Sequence, residues 1–230
     1  MQPRVADSMG LRPRDRSDHA GRPMGRNPAP GLRMILGLLL LSLLALTTAA
    51  CGLRTDTPPP GPGWERGGVP DLRGARVLLL PVQGVSGTGL DVDAELLYAL
   101  RSAGPSVRWM AGDELQEIAA RAGRLGADPQ NLPVAVFEAG EVRRVGDPLF
   151  GELYRLAAMT DAGYALLPIT VQAEGPDADG LVALNLNAAL LDPRSGQVLW
   201  QGILQGTAGE AGSPGPLASA AEALAQRVLP

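Results

Sequence analysis

The chain has 230 residues, 24 of them acidic and 20 basic, and every basic residue is an arginine. His19 is the single histidine and Cys51 the single cysteine. A mature chain starting at Cys51 would hold no histidine, no lysine and no second thiol. That composition excludes a Ser-His-Asp triad, a Cys-His pair, a Schiff-base lysine, His- or Cys-ligated zinc and an internal disulfide.

Residues 1–33 carry seven arginines, several Pro and Gly, and no apolar period. They read as a disordered or untranslated extension that ends in a basic front, Arg26 and Arg33; Met24 is an alternative start that gives a signal of ordinary length. Residues 34–50, MILGLLLLSLLALTTAA, form an uncharged run of 17 residues. A spanning helix needs ~20 apolar residues, so this run sits at the short limit. A basic front, an apolar middle and the small residues Ala49 and Ala50 are the parts of a secretory signal.

The sequence Thr48-Ala49-Ala50-Cys51 resembles the lipobox of bacterial lipoproteins, with Thr48 where that family usually has Leu. The resemblance implies cleavage before Cys51 and acylation of its thiol, and acyl chains acting together give stable membrane anchoring. Gly52 is not Asp, which by the same analogy sends the protein to the outer membrane of a double-membraned cell. From Cys51 onward there are 13 arginines against 21 acidic residues, a net charge of −8. Such a domain lacks the basic footprint of a nucleic-acid binder.

Residues 51–74 read as a Pro/Gly-rich tether, stiff at Pro58-Pro59-Pro60. Residues 75–230 read as one folded domain. Arg76 to Val82 is a buried strand, followed by a glycine loop at Gly84, Gly87 and Gly89. That loop fits neither the dinucleotide nor the Walker pattern, and Asp91, Asp93 and Glu95 beside it repel phosphate. Asp91 starts a helix with Val92, Leu96, Ala99 and Leu100 on one face. Val107 to Met110 is a second strand. Asp113 and Gln116 resemble a capping box for a helix carrying Leu115, Ile118 and Ala119.

Between 123 and 146 the pattern is weak, and Leu132 to Phe137 reads as a strand or a packed loop. Asp147-Pro148 marks a helix start, with Leu149, Leu153, Leu156 and Ala157 as its apolar face. Tyr164 to Ala173 is a strand. Leu181 to Leu191 alternates with period two and presents Asn185 and Asn187 outward. Asp192-Pro193-Arg194-Ser195-Gly196 is a turn, and Gln197 to Gly206 returns. In the return strand Val198, Trp200 and Leu204 share one face and Gln197, Gln201 and Gln205 the other, with Trp200 as a core anchor. Leu217 to Val228 is a closing helix.

The order βαβα(x)αβββα predicts an α/β sandwich with a mixed sheet. It resembles the periplasmic α/β domain of envelope lipoproteins of the penicillin-binding-protein activator and curli-secretion groups, and the TolB N-terminal domain. That resemblance implies a non-enzymatic domain that binds envelope proteins or self-associates, with no cofactor and no metal. The candidate contact residues are Glu138, Glu141, Arg143, Arg144 and Asp147, where charges concentrate and an arginine pair is able to grip a carboxylate. Two other readings stand beside this one. Paired carboxylates here could hydrolyse cell-wall glycans, and a deep apolar pocket would make the domain a small-ligand carrier.

Overall fold

The computed structural model describes residues 61–121, 127–138 and 140–229. Contacts divide the chain into a unit over Met1–Asp56, outside the described residues, and a unit over Thr57–Pro230 that holds them all. The signal segment, Cys51 and the proline run of the tether therefore lie outside the described residues.

The elements are β1 (Glu65–Gly67), β2 (Arg76–Leu79), β3 (Gly84–Ser86), α1 (Val92–Ala103), β4 (Arg108–Met110) and α2 (Gly112–Arg121). They continue with α3 (Ala135–Glu138), α4 (Leu149–Thr160), β5 (Tyr164–Ala173), β6 (Leu184–Asp192), β7 (Gln197–Gln205) and α5 (Gly215–Val228). All seven strands join one mixed sheet in the order β1-β7-β6-β5-β2-β4, with β3 alongside β5. The domain is the mixed α/β sandwich expected from the order of its elements.

β2 is parallel to both β4 and β5. Strands in that setting are covered on both faces, which is why they read as continuous apolar runs. β5, β6 and β7 are antiparallel neighbours, joined at one end by the Asp192–Gly196 turn. In that turn the Asp192 carboxylate accepts from the Arg194 amide at 2.9 Å and from the Ser195 hydroxyl at 2.7 Å.

Two apolar cores flank the sheet. One packs Val77, Leu79, Leu186, Leu190 and Trp200 against α1 and α5. The other packs Leu78, Leu80, Leu167, Ile169 and Leu191 against α2, α3 and α4. In α1, Val92, Leu96, Ala99 and Leu100 are buried, a single stripe at helical spacing. Asp91 caps this helix by accepting from the Ala94 amide at 3.0 Å.

Several local expectations are corrected. Glu65–Gly67, inside the expected tether, pairs with β7 as a strand. Gly84–Ser86, expected as loop, is a short strand beside β5. The Leu132–Phe137 stretch is neither strand nor loop throughout, since its second half opens the short helix α3. α2 already begins at Gly112, so Asp113 lies in its first turn instead of capping it. α4 begins at Leu149, one residue after Pro148.

The face assignment of β7 also changes. Leu190 pairs with Trp200 and Leu191 with Val198, so Leu199 is an extra residue on β7. A bulge of this kind inverts the alternation beyond it. Trp200 and Leu204 therefore join the α1–α5 core while Val198 packs in the opposite one. Trp200 is fully buried, as expected. Gln201, expected on an outer face, is buried; Asn185 and Asn187 are half-buried.

Candidate functional site

The charged stretch between α3 and α4 runs along the outer edge of β7. The Val198 amide donates to the Arg143 carbonyl at 3.0 Å, and the Val145 amide donates to the Gly196 carbonyl at 2.8 Å. Arg144 and Gln197 form an antiparallel bridge. Further along the same edge, β1 pairs with Trp200, Gln201 and Gly202. Two short segments, far apart in sequence, thus share the cover of one strand edge that would otherwise present unpaired backbone groups.

Gln201 locks this arrangement from below. Its side-chain oxygen accepts from the Val142 amide at 3.2 Å, and its amide nitrogen donates to the Gly140 carbonyl at 3.4 Å. The residue is only 2% exposed. A buried amide needs such partners, and here backbone groups of the loop supply them. Val142 and Val145 turn inward, while Arg143 and Arg144 stay exposed between them. The valines hold the loop on the sheet and aim the arginines at solvent.

Glu141 forms an ion pair with Arg66 of β1 and a second, at 3.4 Å, with Arg143. One carboxylate thus bridges two guanidiniums across a cleft of about 260 Å³ whose base is Val198, Leu199 and Gln201. With Arg144 beside it, this edge is cationic on an otherwise acidic chain. Gly67 closes the cleft at the β1 end. Its φ is +84°, and a Cβ there would lie 2.0 Å from the Leu199 carbonyl oxygen. Only glycine fits both the backbone angle and the close approach.

The end of β1 is tied to the far side of the sheet as well. Glu65 forms an ion pair with Arg227 of α5, and Arg227 lies over the Trp200 ring at 5.8 Å from its centre. The hydrogen bond from Arg227 holds the Glu65 carboxyl below its ordinary range; partial burial raises it, and the Trp200 indole and the charge of Arg227 lower it again.

The expected contact residues fall into separate roles. Glu141, Arg143 and Arg144 come together on the β7 edge. Glu138 closes α3. Asp147 accepts from the Gly151 amide at 3.2 Å, at the start of α4, where a carboxylate also complements the positive end of the helix dipole. Arg66, Gly67 and Gln201 belong to the same site and were not anticipated. Arg66 lies in the stretch read as tether, and the burial of Gln201 follows from the loop laid over it, which a strand pattern does not reveal. Among the described residues, no group of three or more carboxylate, thiol or imidazole residues is placed to hold a metal ion. Among them too, no helix is long and apolar enough to cross a membrane.

Fold and site together define a mixed α/β domain with an arginine-lined strand edge. No family model and no characterised protein matches the sequence. Solved structures with a similar chain trace include the PelC dodecamer from Paraburkholderia phytofirmans, at 16% identity and a TM-score of 0.39, covering 72% of this chain and 93% of that one. The LpoB C-terminal domain from Salmonella enterica is 17% identical at a TM-score of 0.36, over 60% of this chain and 84% of that one. Lipoprotein GNA1162 from Neisseria meningitidis is 15% identical at a TM-score of 0.35, over 60% of this chain and 82% of that one.

Proposed function

We propose that this chain is a membrane-anchored, non-enzymatic envelope lipoprotein whose α/β domain binds an acidic surface of a partner protein through its β7 edge. The anchor rests on the uncharged run 34–50 ending in Ala49-Ala50-Cys51. Lipid on Cys51 holds the domain at the membrane surface, on the outer membrane where the cell has two. Recognition rests on Arg66 and Arg143 lining one cleft, with Arg144 exposed next in the chain. Guanidiniums bind carboxylates in a forked geometry, and here the backbone that carries them is pinned in advance by Gln201.

A hydrolytic role is less well supported. Glu141 is engaged by two arginines and Asp147 by the start of α4. Both carboxylates are thus committed to contacts within the domain, whereas glycoside hydrolysis needs a free pair.

The test of address is mass spectrometry of the native N-terminus with fractionation of a Cys51→Ser variant. An acylated Cys51, and loss of the variant from the membrane, are expected. An intact 34–50 segment overturns the anchor. The test of recognition is in-cell cross-linking of the anchored protein with and without Arg143→Glu and Arg144→Glu. A cross-linked partner that the charge reversals leave untouched rules out this edge as the contact.

A further inference from the structure

The arginine-lined edge is also where the chain enters the domain. The Trp64 amide donates to the Gly61 carbonyl at 3.1 Å, closing a turn directly before β1. That entry is fixed to the sheet. The Gly63 amide donates to the Ile203 carbonyl at 2.9 Å, and the Ile203 amide donates to the Trp64 carbonyl at 2.8 Å. Arg66 follows in β1 and lines the same cleft as Arg143. The strand that receives the chain therefore carries the first arginine of the site.

Cys51 and Gly61 are ten residues apart in sequence, and Cys51 and Arg66 fifteen. A chain extends by at most ~3.6 Å per residue, so ten residues reach ~36 Å and fifteen ~54 Å at most, whatever path they take. A small domain is itself about 30 Å across. With lipid on Cys51, the cleft thus works within less than two domain diameters of the bilayer surface.

The site is also modest in charge. Arg143 and Arg144 are its exposed cations, and Arg66 is partly covered. Exposed charge pairs contribute little in water, while free association must first offset lost translational and rotational freedom. A contact of this kind gains occupancy when both sides are confined, because a short linker raises the effective concentration of one for the other.

We infer that the partner of this edge is a protein held in the same membrane, one that presents an acidic surface within ~54 Å of the bilayer, the reach of the chain from Cys51 to Arg66. The inference rests on the anchoring and recognition readings given above. A partner free in solution gains nothing from the anchor, and a partner beyond the reach of the chain makes no contact.

The experiment is in-cell photo-cross-linking of the full chain from a photo-reactive residue at Gln197, which is exposed and bridges Arg144 through the backbone. It is repeated with about 40 flexible Gly/Ser residues inserted between Pro60 and Gly61, ahead of the hydrogen-bonded turn. Lengthening is expected to lower the cross-link at least about twofold, as the square root of linker length spreads the domain over a deeper layer. A cleavable secretory signal in place of residues 1–51 releases the domain, and is expected to lower the cross-link at least about tenfold. The cross-linked protein, identified by mass spectrometry, is expected to sediment with the same membrane in cells lacking this chain. A cross-link that lengthening leaves unchanged or raises, one that survives release, or a soluble partner each overturns the inference. Arg143→Glu with Arg144→Glu in the unextended chain tests the recognition reading separately. If those reversals abolish the cross-link while the linker arms fail, the inference alone is lost. If they leave it untouched, the recognition reading falls and the inference with it.

Discussion

The Gln201 side chain accepts a hydrogen bond from the Val142 amide at 3.2 Å, joining residues 59 positions apart in sequence. This contact places the arginine-bearing loop on the sheet. Gln201→Ala leaves the Val142 amide and the Gly140 carbonyl without their partner over a buried space. The expected cost is ~1–3 kcal/mol of unfolding free energy. Gln201→Glu keeps an acceptor for Val142 but loses the donor to Gly140 and buries a charge, so it is expected to cost at least as much. Urea unfolding measures both, and hydrogen exchange at Val142 tells whether the loop opens before the domain does.

Gly67 tests the cleft from its other side. Gly67→Ala forces a Cβ against the Leu199 carbonyl at a positive φ, and β1 must move away to relieve it. The expected loss is ~1–3 kcal/mol, concentrated at β1 and the first turn of the chain that follows the tether. Gly68→Ala is the control, because no atom lies within 4 Å of its added Cβ. If both substitutions lowered the urea midpoint equally, the close approach at Gly67 would not be the reason.

Much of this fold was legible because burial writes itself into pattern. Continuous runs marked β2 and β5, period two marked β6, and a stripe at helical spacing marked α1 and α4. What escaped was set by features with no local signature. The extra residue Leu199 inverts the faces of β7, and nothing in Gln197 to Gly206 announces it. β1 is three residues long and held by an edge that only the folded sheet creates. The charged cluster on the β7 edge was half legible: charge density singled out Glu141, Arg143 and Arg144, but Arg66 joins them only through the pairing of β1 with β7.

Acid unfolding separates two carboxylates whose pKa values are both depressed. Asp71 is lowered to about 2 by its hydrogen bond to Arg73, two residues away, with the Arg73 amide adding to it. Glu65 is lowered chiefly by Arg227, 162 residues away. A depressed folded pKa contributes stability that is present above the unfolded value and lost as pH falls through the folded one. The unfolded references are 3.8 for Asp71 and 4.5 for Glu65. The Asp71–Arg73 pair is local and persists in part in the unfolded chain, so its larger shift yields less linkage. Glu65→Gln is therefore expected to flatten the decline in stability below pH 4.5 more than Asp71→Asn does. Urea midpoints across that range measure the difference, and an equal effect of both would mean that Glu65 and Arg227 are not paired in solution.

Arg143 is exposed, with its backbone carbonyl tied to Val198 and its side chain only loosely held by Glu141. Surface ion pairs of this kind contribute ~0–1 kcal/mol, so Arg143→Glu is expected to change the urea midpoint little. Arg66 differs, because its side chain is about half as exposed as that of Arg143 and lines the cleft between β1 and the loop. Arg66→Ala is expected to destabilise the domain by more than Arg143→Ala, through lost packing of the stem as well as lost charge. Arg66→Lys is expected to recover part of that loss, since it keeps a long stem and a charge near Glu141. The urea midpoints of these variants decide between the two roles, and equal values for Arg66→Ala and Arg143→Ala would make both arginines mere surface charge.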